Sequence, residues 1–228
     1  MVRIGVCLSG AGVFDGAEIH EAVLSLRALA LGGAQAVCFA PDKRQMHVIN
    51  HSSGEVEEGE TRNVLMESAR IARGEVVAAD TIKVEELDAL LFPGGFGAAK
   101  NLCDFATAGA DCEVDPVIAN IIRAAHATKM PMGFMCIAPT ICAAVFRGTD
   151  TRVELTIGND ADTAAAIEAM GAKHVICPVN EIHIDEGNNV LSTPAYMLAK
   201  NIAEAAEGID RLVSKLLERC PASLTPAG

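Results

Sequence analysis

Cys136 stands out among the side chains that could do chemistry because of the residues around it. It follows a short apolar run, residues 131–135, that is typical of a buried strand, and it opens a helix-like run, CIAPTICAAVF. A strand, a tight turn and a helix in that order would present the thiol at the edge of a sheet beside backbone amides. A helix N-terminus favours the thiolate, so we expect the pKa of this thiol to be lowered. The pattern predicts a nucleophilic cysteine.

The other cysteines and two histidines show weaker signs of chemistry. The chain has eight cysteines and no C-x-x-C pair, which excludes a zinc ribbon and a thioredoxin motif. Cys7 and Cys38 lie in strand-like apolar runs and Cys142 on an apolar helix, so we expect these three to be packing residues. His47 and His51 have the i, i+4 spacing of metal ligands but fall in an irregular polar segment, where we expect them to be solvated. We predict no metal site and no cofactor.

Two glycine-rich stretches, residues 9–16 and 93–101, follow other strand-like runs. Such loops bring backbone N–H groups close to a ligand. The first fails the dinucleotide pattern G-x-G-x-x-G, because Asp15 stands where the third glycine is needed, and the chain contains no P-loop motif. Neither stretch alone therefore identifies a ligand.

The elements that must position these residues alternate regularly along the chain. Strand-like runs are separated by helix-like runs, an order typical of βαβ units and a parallel sheet. We predict an α/β fold with a doubly wound, mostly parallel sheet and helices on both faces, a flavodoxin-like or amidotransferase-like sandwich. Residues 1–228 should form a single domain, with a loop or small hairpin over 41–60. The strand-like runs are 3–8, 35–40, 88–95, 131–135, 153–157, 173–179, 181–185 and a last run that begins at 189.

Composition limits the classes of partner. Half of the 228 residues are apolar, and 18 Lys and Arg stand against 30 Asp and Glu, for a formal net charge of −12. Without a basic cluster, nucleic acid and anionic membranes are not expected as partners. No run approaches the roughly 18 to 20 apolar residues of a membrane span. Nothing typical of a signal peptide opens the sequence, and we therefore expect a cytoplasmic protein.

Several longer segments resemble one known family over nearly the whole chain. The chain resembles the ThiJ/PfpI superfamily of class I glutamine amidotransferase-like proteins, and within it the ElbB group, which is named for isoprenoid biosynthesis. The resemblance implies a homodimer, since such relatives are commonly dimers. The segments that carry it are SGAGVFDGAEIHEAV, GAQAVCFAPDK, ETRNVLMESARI, DALLFPGGFGAAKNL, GFMCIAPT, LTIGNDADTA and STPAYMLAKNIAEAA.

The resemblance implies roles for particular residues. It places Cys136 on a nucleophile elbow and a glutamate of the first helix against the thiol. Glu21 is favoured for that contact, and Glu18, one helical turn away, is the second choice. It also implies an anion-binding set of backbone amides at Gly94–Gly95 and at Ile137.

The sequence departs from hydrolytic relatives at two positions. Ile137 follows Cys136 where those relatives carry a histidine, and Cys177 stands where several carry a histidine before proline. No Cys-His-carboxylate triad is evident, which argues against protease and glutaminase activity. His20 and Cys177 are possible pocket residues. The His183-x-Asp185 pattern only weakly resembles the H-x-E pattern of amidotransferases.

Similar proteins are associated with glutathione-independent glyoxalase chemistry, which needs only a thiol and a carboxyl group. The resemblance therefore implies conversion of glyoxal, and more weakly methylglyoxal, to the 2-hydroxy acid through a Cys136 hemithioacetal. Two alternatives stay open. One is a redox-sensing or regulatory protein in which Cys136 is oxidised, with Cys177 as a resolving thiol. The other is an amidotransferase-like partner subunit of another enzyme.

Overall fold

The centre of the protein is a twisted sheet, seen in a computed structural model that describes residues 1–220. Apolar and β-branched runs form its strands, and the strands that lie between neighbours are buried on both faces. The strands are β1 (Arg3–Cys7), β2 (Gln35–Ala40), β3 (Val76–Ala78), β4 (Ala89–Phe92), β5 (Met132–Met135), β6 (Glu154–Leu155), β7 (Lys173–His174), β8 (His183–Asp185) and β9 (Val190–Thr193).

Seven of these strands pair in the order β3-β2-β1-β4-β5-β9-β8, and only the edge strand β8 runs antiparallel to its neighbour. Strands β6 and β7 form a separate parallel pair. Strands β1, β4 and β5 are neighbours at the middle of the main sheet. The loops that follow them therefore meet at one edge, the carboxyl edge where ligands bind in such sheets.

Helices connect most of the strands, and several of them begin at side-chain caps. Asp115, Asp160 and Asn201 each accept a hydrogen bond from a backbone N–H in the first turn of the helix that follows. The helices are α1 (Ile19–Leu31), α2 (Val64–Ile71), α3 (Phe105–Ala108), α4 (Pro116–Ala127), α5 (Pro139–Phe146), α6 (Ala161–Ala169) and α7 (Ile202–Arg219), with a π-helical turn over Ala98–Leu102.

The sheet separates two apolar layers, and alternate residues of each strand face opposite layers. In β4, Leu90 and Phe92 pack with residues of α4 and α5, whereas Ala89 and Leu91 pack with residues of α1 and α7. The Phe92 ring stacks on Phe134 of β5 at a centroid distance of 4.6 Å. Helices therefore cover both faces, and the expected α/β fold with a mostly parallel, doubly wound sheet is confirmed.

Some predicted strands differ from those observed. Of residues 173–179, only 173 and 174 form a strand, and it pairs with β6 outside the main sheet. The short edge strand β3 was not predicted, because three residues after a helix carry too little pattern. Residues 41–60 form a loop with one internal bridge, between Ile49 and Val56, and a second bridge joins Arg44 to Asn63. Among residues 1–220, no helix combines the length and apolar character that a membrane span requires.

Candidate active site

Cys136 lies directly after β5, on a turn that holds its backbone at φ 58°. This left-handed conformation costs a residue with a side chain about 1–2 kcal/mol. The Cys136 N–H donates to the carbonyl of Thr193 on β9 at 3.1 Å, which anchors the turn to the sheet. Helix α5 begins at Pro139 rather than at the cysteine, because the intervening residues form the turn. The geometry is that of a nucleophile elbow.

Glu21 is the glutamate that contacts the thiol. It lies in the first turn of α1, fully buried, and its carboxyl group shares a side-chain hydrogen bond with Cys136. Its two carboxyl oxygens also accept backbone N–H groups, Oε2 from Gly94 at 2.9 Å and Oε1 from Tyr196 at 3.1 Å. Residues from three loops therefore hold the carboxyl group in one orientation.

Glu18 makes a different contact from the one expected for a second thiol partner. It is the N-cap of α1, with an extended backbone, and its Oε2 accepts the Glu21 N–H at 2.7 Å. Because the helix begins only at Ile19, Glu18 lies outside the helix, and the assumed shared helical face does not exist. Glu18 therefore caps the helix and lines the cavity next to the thiol.

Burial dominates the protonation of both groups. It raises the pKa of Glu21 to about 7, although the N–H groups of Tyr196 and Gly94 act in the opposite direction. Burial also raises the pKa of the Cys136 thiol well above its ordinary value, and the negative charge of Glu21 raises it further. The expected lowering of this pKa is therefore wrong: desolvation and the adjacent carboxylate outweigh the amides of Gly95 and Ile137.

Two backbone N–H groups point at the Cys136 sulfur, those of Gly95 and Ile137. The Gly94 N–H, expected in the same role, is already donated to Glu21. Gly94 instead provides space, because a Cβ at this position would lie 2.5 Å from Cys136 Cβ and 2.8 Å from Glu21 Oε2. Negative charge that develops near the sulfur would thus be stabilised by these two backbone N–H groups.

A cavity of about 340 Å³ opens beside the thiol. Its walls come from the loops after β1, β4, β5 and β9 and from the segments at α3 and α6. Most of the lining side chains are apolar, and Phe96, which is 48% exposed, marks the side that reaches solvent. The lining residues are Val13, Glu18, Gly95, Phe96, Ala99, Phe105, Ala106, Cys136, Ile137, Asp160, Thr163, Tyr196 and Met197.

The other expected pocket residues lie outside this lining. His20 is exposed, and its Nδ1 is hydrogen-bonded to the Tyr196 hydroxyl at 2.7 Å, so it reaches the cavity only through that tyrosine. Cys177 is buried, with its sulfur 3.6 Å from the carbonyl oxygen of Pro178. His183 lies on β8 and pairs with Glu154 at 3.3 Å. No residue of the cavity lining is a histidine.

Several site residues were not found from the sequence. Tyr196 positions Glu21 through its backbone N–H, and Phe105 and Met197 form walls, but loop residues of these types carry no pattern of their own. His51, expected to be solvated, accepts the Phe14 N–H at 3.2 Å and so connects the 41–60 loop to the first glycine-rich loop. Among residues 1–220, no group of three or more His, Cys, Asp or Glu is arranged to hold a metal ion.

Comparisons with known proteins agree with this architecture. The chain is 46% identical over 225 residues to the rat "ES1 protein homolog, mitochondrial", covering 95% of this chain and 83% of the relative. It is also 46% identical over 225 residues to the human "Glutamine amidotransferase-like class 1 domain-containing protein 3, mitochondrial", covering 95% and 82%. No family model matches the chain.

Solved structures give the same relationship. The crystal structure of an isoprenoid biosynthesis protein with an amidotransferase-like domain from Ehrlichia chaffeensis superposes with a TM-score of 0.89 at 37% identity, covering 96% of this chain and 99% of that one. Drosophila DJ-1beta, at a TM-score of 0.51 and 15% identity over 96% of this chain and 95% of that one, shares the fold.

The relatives contradict one expectation. We expected a cytoplasmic protein, and this is wrong, since both mammalian relatives are named mitochondrial proteins. The expectation rested on the first residues of the chain, which form β1, and a strand carries no information about compartment. With 46% identity over almost its whole length, the chain belongs to the class I glutamine amidotransferase-like proteins, in the group that includes the ES1 proteins and the amidotransferase-like isoprenoid biosynthesis proteins.

Proposed function

We propose that this chain is a glutathione-independent glyoxalase that converts glyoxal, and more weakly methylglyoxal, to the 2-hydroxy acid. The observation that carries the proposal is the buried contact between Cys136 and Glu21 beside a cavity. A thiol and a carboxyl group with a pKa near 7 supply a nucleophile and a proton carrier without a cofactor. A homodimer and a small α-oxoaldehyde as the binding partner are part of this proposal.

In the first step, the sulfur of Cys136 adds to one aldehyde carbon of glyoxal. Ionised Glu21 takes the thiol proton as the C–S bond forms and passes it to the aldehyde oxygen, which yields a hemithioacetal. The N–H groups of Gly95 and Ile137 face this region and would stabilise the transient oxyanion. The neutral thiol is therefore no obstacle, because Glu21 removes its proton during the attack.

In the second step, Glu21 removes the proton from the sulfur-bearing carbon. The electron pair forms the C=C bond of an enediol, and Glu21 returns the proton to the neighbouring carbon, while the hydroxyl proton passes to the neighbouring oxygen. The product is a thioester of Cys136. Water then adds to the thioester carbon, Glu21 accepts a proton from it, and the sulfur leaves as the thiol. The net reaction adds one water to glyoxal and releases glycolate.

The proposal is tested by incubating the purified protein with glyoxal in D₂O without glutathione and following glycolate by NMR. A proton that passes through Glu21 exchanges with solvent, so the glycolate CH₂ group should carry deuterium. Glycolate without deuterium would overturn the enediol route, since a direct hydride shift keeps the original hydrogen. Absence of glycolate would overturn the glyoxalase assignment.

The two alternatives have less support. A redox sensor needs a thiolate, because peroxide oxidises the thiolate, whereas burial raises the pKa of Cys136. It also needs a resolving thiol nearby, and Cys177 is not in the cavity lining. An amidotransferase-like subunit would use a histidine with the cysteine, and none lines the cavity. A role in isoprenoid metabolism rests on the name of the Ehrlichia protein alone.

A further inference from the structure

The walls of the cavity beside Cys136 carry information about the substrate. We propose that the preferred substrates are neutral 2-oxoaldehydes with an apolar tail, aromatic or branched aliphatic, rather than glyoxal itself. This inference rests on the proposed glyoxalase function for the aldehyde group. The tail is inferred independently, from the size, the wall chemistry and the charge of the cavity.

The cavity is larger than glyoxal alone would fill. Its volume of about 340 Å³ lies within the range of ordinary small-molecule sites, roughly 300 to 1,000 Å³. Glyoxal has four non-hydrogen atoms and would fill a space comparable to about four water molecules, roughly 120 Å³ at the volume of liquid water. More than half of the cavity would then remain filled with water. A substrate with a tail of six or more carbons would displace that water.

The chemistry of the walls favours an apolar tail. Phe96, Phe105, Ile137 and Met197 line the cavity. Both carboxyl groups of the lining have partners within the protein, since Glu18 accepts the Glu21 N–H and Asp160 accepts the Thr163 N–H. The Tyr196 hydroxyl is hydrogen-bonded to His20. Apolar walls bind apolar groups with about 25 cal/mol per Å² removed from water, and aromatic rings add specific edge and stacking contacts.

Charge in the cavity disfavours an anionic substrate. Two carboxyl side chains line it, Glu18 and Asp160, and no Lys, Arg or His does. Lys100 lies nearby, with its Nζ 5.3 Å from the Phe96 ring centroid, but it donates to the carbonyl of Phe14 and is not part of the lining. A phosphate or carboxylate on the substrate would meet like charge without a compensating cation, so the tail should be neutral.

The turnover test compares phenylglyoxal with glyoxal in the wild-type protein and in Phe96→Ala. Phe96 is half-exposed, so its truncation should leave the fold intact. We expect the ratio of kcat/KM for phenylglyoxal to that for glyoxal to fall by about five-fold or more in the variant, as loss of one ring contact implies. Because the ratio is compared between proteins, the intrinsic reactivity of the two aldehydes cancels. Met66→Ala, which removes an exposed side chain of α2, should leave the ratio unchanged.

A second test needs no turnover. The rate of Cys136 alkylation is measured by peptide mapping with N-benzyl iodoacetamide, iodoacetamide and iodoacetate, each normalised to the rate with N-acetylcysteine. We expect the benzyl reagent to react fastest and the anionic reagent slowest, with the benzyl preference reduced by about five-fold in Phe96→Ala.

The two tests separate the two proposals. If glyoxal is turned over but neither ratio depends on Phe96, the apolar-tail inference is wrong and the glyoxalase proposal stands. If no 2-oxoaldehyde is turned over while the benzyl preference is present and depends on Phe96, the apolar ligand class is supported and the glyoxalase proposal fails. Fastest alkylation by iodoacetate would overturn the inference outright.

Discussion

Cys136 and Glu21 behave as one unit because burial penalises a charge on either of them. Each has a raised pKa, and the charge on Glu21 further opposes ionisation of the thiol. Near neutral pH the pair therefore carries one negative charge at most, held mainly by the carboxyl group, which has two backbone donors. This arrangement suits a reaction in which the proton leaves sulfur only as sulfur attacks carbon.

The first prediction concerns the nucleophile. Cys136→Ala should abolish glyoxal turnover and leave the fold intact, since the variant removes only a sulfur that faces the cavity. Turnover is measured as glycolate formation and the fold by circular dichroism. Cys142→Ala is the matched control, because it removes another buried thiol on the adjacent helix α5 and should retain activity. Substantial activity in a folded Cys136→Ala protein would show that another group attacks the aldehyde.

The second prediction separates the two glutamates. Glu21→Gln should reduce kcat by about 10²- to 10⁴-fold, because an amide cannot carry a proton between the two carbons. Glu18→Gln should reduce it much less, since Glu18 caps α1, whereas the carboxyl group that is hydrogen-bonded to the thiol is that of Glu21. In the wild type, kcat/KM should rise with pH through about 7, where Glu21 becomes ionised.

The pH profile also identifies the outcome that would contradict this assignment. If Glu18→Gln is inactive and Glu21→Gln retains both activity and the limb near pH 7, the proton carrier is Glu18. If both variants remain active, the proton must move through another group, and His20, hydrogen-bonded to Tyr196 at the cavity wall, would be tested next.

At the scale of elements, the site depends on a close approach of the loop after β4 to the elbow after β5. Gly94→Ala should inactivate the protein and lower its free energy of unfolding by about 1–3 kcal/mol, because the new Cβ would overlap Cys136 and Glu21. Activity and urea unfolding measure the two effects. Gly187→Ala is the control, since a Cβ there has its nearest contact at 3.4 Å. Wild-type activity in Gly94→Ala would mean that the loop can move away without consequence.

The sequence predicted those parts of the structure that follow from a regular alternation of elements or from a distinctive run of neighbouring residues. Alternating strands and helices predicted the α/β sheet, and the apolar run before Cys136 predicted the elbow, because buried strands and tight turns restrict residue types over several positions. The family resemblance favoured Glu21 over Glu18, and only the structure shows that Glu21 touches the thiol.

The remaining features depend on distant contacts. The cap at Glu18 is decided by the exact start of α1, and the expected role of the Gly94 N–H is lost to Glu21, seventy-three positions away in the chain. The pKa of Cys136 could not be predicted from a helix N-terminus alone, because it depends on how completely other elements bury the thiol. The cavity walls at Phe105 and Met197 likewise come from loops whose placement is set by tertiary packing.

For the whole molecule, the site lies where the two apolar layers meet. Cys136 belongs to the layer of α1 and α7, and Ile137 and Met197 pack against both layers. Glu21, in the first turn of α1, is buried in the same region. A charge on Glu21 is therefore placed inside the part of the protein that holds the layers together. Ionisation of Glu21 should change the free energy of unfolding as well as the activity.

The last prediction follows from that coupling. Between the ordinary pKa of a glutamate, 4.5, and the raised value of about 7, the folded protein keeps the Glu21 proton and the unfolded chain has released it. The free energy of unfolding should therefore fall by about 3 kcal/mol in all as pH rises through this window. The contribution of Glu21 to the free energy of unfolding should be constant below and above the window. Glu21→Gln should remove this fall.

Urea unfolding of both proteins from pH 5 to pH 8 measures the effect as a difference between pH values. That difference is the proper readout because the glutamine amide cannot accept N–H groups at both positions, and the lost hydrogen bond adds a pH-independent offset that cancels when pH values are compared within one protein. Glu207→Gln, at an exposed position of α7, is the control and should keep the wild-type pH dependence. Parallel curves for wild type and Glu21→Gln would show that Glu21 ionises normally in the folded protein, and the proton-carrier role near neutral pH would then lose its physical basis.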